Sequence, residues 1–153
     1  MKLDYNFLLM PVGLILLATE HSQLCWLSIG DDKAELLQEL QQQPHYVNAQ
    51  FQHNEALNLD VAESLPLAPR GTAWQQKVWQ ELQQIPKGTT ISYTELAQRC
   101  GKPQAARAVA SACAKNPISL FIPCHRVVAK SGALGGYRWG IARKQWLLDR
   151  EKT

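Results

Sequence analysis

Residues 65–71, Leu-Pro-Leu-Ala-Pro-Arg-Gly, constrain the fold of this chain more than any other stretch. Two prolines and a glycine within seven residues neither continue a helix nor sit inside a central strand, so regular structure is interrupted there. The charge changes sign at the same place. Residues 1–68 hold two Lys/Arg and nine Asp/Glu, a net of −7, whereas residues 69–153 hold fourteen and four, a net of +10. A breaker-rich segment that coincides with a compositional switch predicts a domain boundary, with an acidic domain over 1–68 and a basic one over 69–153. The basic half either presents a solvated cationic surface or meets a polyanion, and charge alone leaves both open.

In the acidic half, residues 13–19 and 23–29 are apolar and β-leaning, and Glu20-His21-Ser22 between them predicts a hairpin. The apolar run Phe7 to Ala18 is read as a buried strand. Asp4 before it, Pro11 and Gly13 within it and Thr19-Glu20 after it argue against an export signal, and it is too short to span a bilayer. Asp31-Asp32 predicts the start of a helix with Ala34, Leu36, Leu37 and Leu40 as its apolar stripe, and residues 47–52 offer a further strand. The four cysteines, Cys25, Cys100, Cys113 and Cys124, are widely spaced, which fits a reducing compartment better than a disulfide framework. A cytoplasmic protein without a membrane partner is therefore expected. Cys25 with His21 and His53 is too sparse for a zinc site, so no metal and no cofactor are expected.

The basic half reads as mainly helical. Thr72-Ala73-Trp74-Gln75 fits a capping box, with Trp74, Val78, Leu82 and Ile85 at helical spacing and Pro86-Lys87-Gly88 as the stop. Ser92-Tyr93-Thr94-Glu95 opens a short helix to Cys100-Gly101, and a second helix runs from Gln104 to Lys115. Together they predict a helix-turn-helix. The second helix is a thin rod of Ala105, Ala106, Ala108, Ala110, Ser111 and Ala112 carrying one long cation, Arg107. Such a rod first suits close packing in a core, and it also suits insertion into a minor groove with Arg107 replacing a displaced base. A last helix is expected over residues 141–151, with Trp146, Leu147 and Leu148 inward and Arg143 and Lys144 outward.

The chemistry-bearing motif is Ile122-Pro123-Cys124-His125-Arg126-Val127-Val128. A thiol becomes a strong nucleophile as thiolate, which an imidazole or a neighbouring cation promotes. In an extended strand Cys124 and His125 would face opposite ways, and Cys124 would be an inert core cysteine. Pro123 instead favours a turn, in which adjacent side chains converge.

These motifs appear in a particular order. Gly71-Thr72, Trp74-Gln75 and Val78-Trp79 come first, then Ile85-Pro86-Lys87-Gly88-Thr89-Thr90 and Ser92-Tyr93. Arg107-Ala108-Val109, Asn116-Pro117 and Pro123-Cys124-His125-Arg126-Val127 follow, then Gly136-Tyr137, Lys144, Leu147-Leu148 and Glu151. The chain thereby resembles the O6-alkylguanine-DNA alkyltransferases, also called methylated-DNA–protein-cysteine methyltransferases, continuously over about residues 70–151. The resemblance implies an α+β fold: a small sheet-plus-helix (ribonuclease H-like) domain, then a mainly helical, winged-helix-like domain holding the helix-turn-helix. It implies irreversible, single-turnover transfer of an alkyl group from O6-alkylguanine, and from O4-alkylthymine, to Cys124, on a base flipped from the minor groove of double-stranded DNA by a monomer.

Roles follow from the same resemblance. Cys124 is the expected alkyl acceptor, His125 its base through a bridging water, Glu151 the group that orients the imidazole, and Tyr93 the acid toward the leaving base. Asn116 is expected to brace the cysteine turn. Arg107, Ala106, Ser92, Tyr93 and Arg126 are the expected DNA contacts. Val127, Tyr137 and Arg138 are expected to line the pocket, with Trp139 and Ser119 at its mouth. The competing readings are a lesion-binding relative without transfer activity, whose motif lacks the cysteine, and a helix-turn-helix regulator. Cys124 itself is the feature that discriminates against the first.

Overall fold

The structure, a computed structural model, describes residues 1–152. It divides into two compact units, residues 1–70 with 117–119, and residues 71–116 with 120 onward. The first contains a four-stranded sheet and the second is mainly helical, so the fold is α+β. Among the described residues no helix is long and apolar enough to cross a membrane.

The sheet of the first unit is built from β1 (Lys2–Met10), β2 (Gly13–Glu20), β3 (Gln23–Gly30) and β4 (Gln50–His53), in the order β3-β2-β1-β4. β1/β2 and β2/β3 are antiparallel, while β4 runs parallel to β1 with Lys2 opposite Gln50. The β2–β3 turn places His21 and Ser22 at φ of 52° and 60°, the left-handed pair that matches the strand twist of a two-residue hairpin. The expected single strand from Phe7 to Ala18 is two strands. Pro11 and Val12 form a turn between β1 and β2, because proline supplies no ladder N–H and suits the corner.

Helix α1 (Lys33–Gln41) begins where Asp32 accepts the Ala34 amide at 3.1 Å, and it buries Leu36 and Leu40. These join Leu3, Leu16, Ala18, Cys25, Trp26 and Tyr46 in one core. The short helix α2 (Leu59–Glu63), capped by Asn58, was not anticipated, since five residues carry no helical period to read.

In the second unit, α3 (Ala73–Leu82) has the reciprocal capping box: Thr72 Oγ1 accepts the Gln75 amide at 3.1 Å and Gln75 Oε1 accepts the Thr72 amide at 2.9 Å. Val78, Trp79 and Leu82 are its buried face. The helix-turn-helix consists of α4 (Tyr93–Arg99), capped by Ser92 Oγ on the Glu95 amide, and α5 (Ala106–Ala114). The alanines of α5 leave its backbone accessible to α3. The Trp79 indole N–H donates to the Ala112 carbonyl at 2.9 Å and that of Trp74 to Ala108 at 3.4 Å. One face of α5 therefore packs, burying Val109, Ala112 and Cys113, while Arg107 and Ser111 lie exposed on the other.

Strands β5 (Ile91–Ser92) and β6 (Val127–Val128) pair in parallel and join the start of α4 to the cysteine motif. The last helix, α6, spans Ile141–Glu151. Lys144 is not outward, as expected, but completely buried. It shares the face of Leu147, Leu148 and Glu151 at i+3, i+4 and i+7, the stripe that a core-facing helix presents.

Gly71 shows how tightly α3 is seated. A Cβ built there would lie 2.4 Å from the ring of buried Trp79 and 2.6 Å from Gln75 Oε1 of the capping box. Gly71→Ala should cost about 1–3 kcal/mol, the range for overpacking a close-packed site. Gly136→Ala, where a Cβ meets nothing within 4 Å, should change stability by less than about 0.5 kcal/mol. Urea unfolding of the two variants reads the difference.

Candidate active site

Pro123 ends the extended approach to the motif, and Cys124–Arg126 form a single 3-10 turn closed by the Arg126 amide on the Pro123 carbonyl at 3.0 Å. At about three residues per turn, adjacent side chains are not thrown to opposite faces as in a strand. Cys124 and His125 thus belong to one buried site, at 5% and 2% exposure.

The Cys124 sulfur is held by Asn116, whose Nδ2 donates to Sγ at 3.3 Å and to the Ile122 carbonyl at 2.7 Å. Asn116 is itself completely buried just beyond α5. Cys124 opens on a cavity of about 350 Å³ lined by Tyr93, Ala110, Cys113, Ala114, Gly136, Tyr137 and Arg138. The space is within the ordinary range for a small-molecule pocket, and most of its wall is apolar.

On His125, Nε2 lies 3.0 Å from Glu151 Oε2. The carboxylate, acceptor-only when ionised, accepts the hydrogen bond that Nε2–H donates, which leaves Nδ1 as the basic nitrogen. Nδ1 is buried without a protein partner among the described residues. Glu151 also accepts from Arg126, Nε to Oε1 at 3.0 Å and Nη2 to Oε2 at 2.7 Å. Arg126 Nη1 donates to the Ile85 carbonyl at 2.7 Å. The expectation that Arg126 contacts DNA is thereby corrected: its guanidinium is consumed inside the protein, where it fixes the carboxylate that orients His125.

Lys144, expected outward and given no role in the sequence reading, lies buried at the site. Its Nζ donates to the Val127 carbonyl at 2.6 Å and the Gly136 carbonyl at 3.1 Å, and it lies 5.8 Å from the centre of the Tyr93 ring. Val127 is fully buried, and its amide bonds the Cys124 carbonyl, so both its backbone groups are occupied within the unit. Tyr93 lines the cavity. Gly135, at φ 72°, lets the chain pass where a Cβ would stand 3.0 Å from the Tyr93 hydroxyl.

The remaining expected residues fall in distinct places. Tyr137 and Arg138 line the cavity, whereas Trp139 is buried against them, edge-on to Tyr137 at 5.4 Å and under the Arg138 guanidinium at 5.3 Å. Ser119 is fully buried in the first unit, its amide bonded to the Leu27 carbonyl. Arg107 is exposed on α5, and Ala106 and Ser92 are half-buried.

The electrostatics follow from burial. Burial pushes the Cys124 thiol up, while the Asn116 hydrogen bond and the Lys144 and Arg138 charges act against that rise. Burial, with Cys113 and Cys124 nearby, pushes the Tyr93 phenol up to about 12. Burial also lowers Lys144 and lowers His125 despite Glu151 beside it. For Glu151 burial acts upward, but the bonds from Arg126 and His125 prevail and hold it below its ordinary value.

The chain matches, over residues 73–153, the family described as the 6-O-methylguanine DNA methyltransferase DNA-binding domain. It is 50% identical over 151 residues to the bifunctional transcriptional activator/DNA repair enzyme Ada of Escherichia coli, covering 92% of this chain and 43% of that protein. It is 38% identical to a methylated-DNA–protein-cysteine methyltransferase of Methanosarcina barkeri, covering 97% of each. Among solved structures, Mycobacterium tuberculosis OGT in complex with DNA aligns with a TM-score of 0.81 at 33% identity, over 99% of this chain and 93% of that one. The chain belongs to the methylated-DNA–protein-cysteine methyltransferase family. It spans less than half the length of the Escherichia coli relative.

Both His125 and Glu151 are depressed in the folded state, so the native protein resists protons that the unfolded chain accepts. Their contributions are therefore complete above the unfolded values of 6.5 and 4.5 and are lost as pH falls toward the lower folded values. Thermal melting should fall as pH drops below about 6.5, and His125→Gln should flatten the curve just below 6.5 while leaving the drop below 4.5 in place. Melting temperatures measured across that range check the sign.

Proposed function

We propose that this protein repairs DNA by direct reversal, moving the alkyl group of O6-alkylguanine, and of O4-alkylthymine, irreversibly onto Cys124. The observation that carries this reading is a buried thiol, braced by Asn116, opening on a cavity large enough for a base, beside an imidazole whose outer nitrogen is fixed by Glu151. Family membership supports it, as does the DNA-bound relative of similar structure.

The chemistry then runs as follows. Glu151 holds the Nε2 proton of His125, so Nδ1 accepts the Cys124 proton through a water. Burial disfavours a standing thiolate, and the anion forms as transfer begins, with the Asn116 amide and the Lys144 and Arg138 charges favouring it. Sγ attacks the alkyl carbon in line, the carbon–O6 bond breaks, and its electron pair passes to the base. Tyr93 supplies the proton with which the base leaves as neutral guanine. The thioether on Cys124 has no route back to thiol, so each chain acts once.

The lesion reaches the cavity only outside the base stack, which requires flipping. The exposed Arg107 on the slender α5 is the side chain suited to take the vacated place, entering from the minor groove with Ser92 and Ala106 alongside. The +10 charge of the second half supplies the backbone attraction. The protein acts as a monomer in the cytoplasm.

Two variants test the reading on a duplex oligonucleotide containing O6-methylguanine. Cys124→Ser should abolish removal of the methyl group from the base while retaining DNA binding, because a hydroxyl at its ordinary pKa does not perform this displacement. Persistent repair would transfer the role to another cysteine. Arg107→Ala should slow duplex repair about tenfold or more relative to single-stranded repair, since extrusion costs a few kcal/mol only where a stack and pair exist. Equal losses on both substrates would make Arg107 an ordinary phosphate contact.

A further inference from the structure

Arg138 lines the cavity, and its guanidinium is also tied to the turn that presents the nucleophile. Its Nη1 donates to the Asn116 carbonyl at 3.1 Å, and the guanidinium lies over the Trp139 ring. Asn116 in turn places Nδ2 on both the Ile122 carbonyl and the Cys124 sulfur, and its amide is fixed on the Cys113 carbonyl at 3.2 Å. One residue therefore separates the guanidinium from Sγ. The other titratable or charged groups about the thiol are Tyr93 from α4, Cys113 from α5, Lys144 from α6 and the adjoining His125. Lys144 already places its ammonium on the Val127 and Gly136 carbonyls.

We propose that Arg138 is a positioning residue: it clamps Asn116 so that Nδ2 stays on the Cys124 sulfur, and it adds a cation to the cavity wall that favours the thiolate as transfer begins. The direction in which Arg138 acts on the thiol agrees with this geometry. Arginine suits the task because its planar fork reaches a carbonyl while its face stacks on an indole, which lysine does not reproduce. The inference deepens the reading of Cys124 as nucleophile, yet thiol reactivity toward a small electrophile involves no DNA, so the two are tested separately.

The experiment measures carbamidomethylation of Cys124 by iodoacetamide in the full chain, followed by peptide mass spectrometry from about pH 7 to pH 11, because burial places the thiol above its ordinary value. The sulfur–carbon bond forms as iodide leaves, and the thiol proton passes to solvent. Relative to the native protein, Arg138→Gln should raise the pH midpoint of Cys124 labelling by about half to one unit and slow it roughly threefold to tenfold at neutral pH. Arg138→Lys should recover most of the midpoint, because the charge remains, while its high-pH rate stays below the native one, because the clamp is lost. Cys113 in the same digest reports any loosening of the cavity. An unmoved midpoint in Arg138→Gln would overturn the proposal, whether or not Cys113 labelling rises. So would identical pH-independent losses in both variants, which mark a packing role. A native protein that transfers no methyl group from an O6-methylguanine duplex would overturn the alkyl-transfer reading and leave this titration standing.

Discussion

Asn116 Nδ2 makes two hydrogen bonds, to the Ile122 carbonyl and to the Cys124 sulfur, and the second unit is arranged around them. The first bond fixes the chain that enters the Pro123 turn, and the second fixes the Cys124 sulfur. Because Asn116 is completely buried, neither bond competes with water, and losing either would leave a buried polar group unsatisfied, at about 1–3 kcal/mol. The helix that ends just before Asn116 is the same α5 whose alanines admit the indole N–H groups of α3. Packing of the helix-turn-helix and placement of the thiol are therefore one structural event.

A second, partly buried network holds the segments around Cys124. Glu151, at the end of α6, receives His125 and Arg126 together, and Lys144, about two turns earlier on the same face of that helix, holds the Val127 and Gly136 carbonyls. Buried charges are costly unless every donor finds a partner. Here the paired groups sit on the turn, on β6 and on the glycine loop, so α6 fixes three segments that border the site. The energy invested in burying these charges maintains geometry, and it leaves His125 with one engaged nitrogen and one basic nitrogen.

The sequence made the helices of the second unit legible because each carries its own punctuation: Thr72 and Ser92 as caps, and a periodic apolar face before Pro86. The cysteine motif was legible through Pro123, which predicted a turn. The limits of α6 were also readable, but the burial of Lys144 was not, because a lysine between Arg143 and Gln145 reads as surface unless its spacing to Leu147, Leu148 and Glu151 is weighed. Arg126 misled for a related reason. A cation in a basic half reads as a DNA contact until its carboxylate partner, twenty-five residues away, is brought beside it. In the first unit the run from Phe7 to Ala18 hid a corner at Pro11, since both strands are apolar enough to look continuous. Tertiary pairings of this kind leave no local signature.

The central claim is that Cys124 accepts one alkyl group and keeps it. Intact-mass measurement after mixing the protein with excess O6-methylguanine duplex, followed by peptide mapping, tests it most directly. The account predicts a plateau at one methyl group per chain, carried by the peptide containing Cys124. An unmodified chain, a methyl on Cys113, or continued demethylation of DNA beyond one equivalent of protein would contradict it.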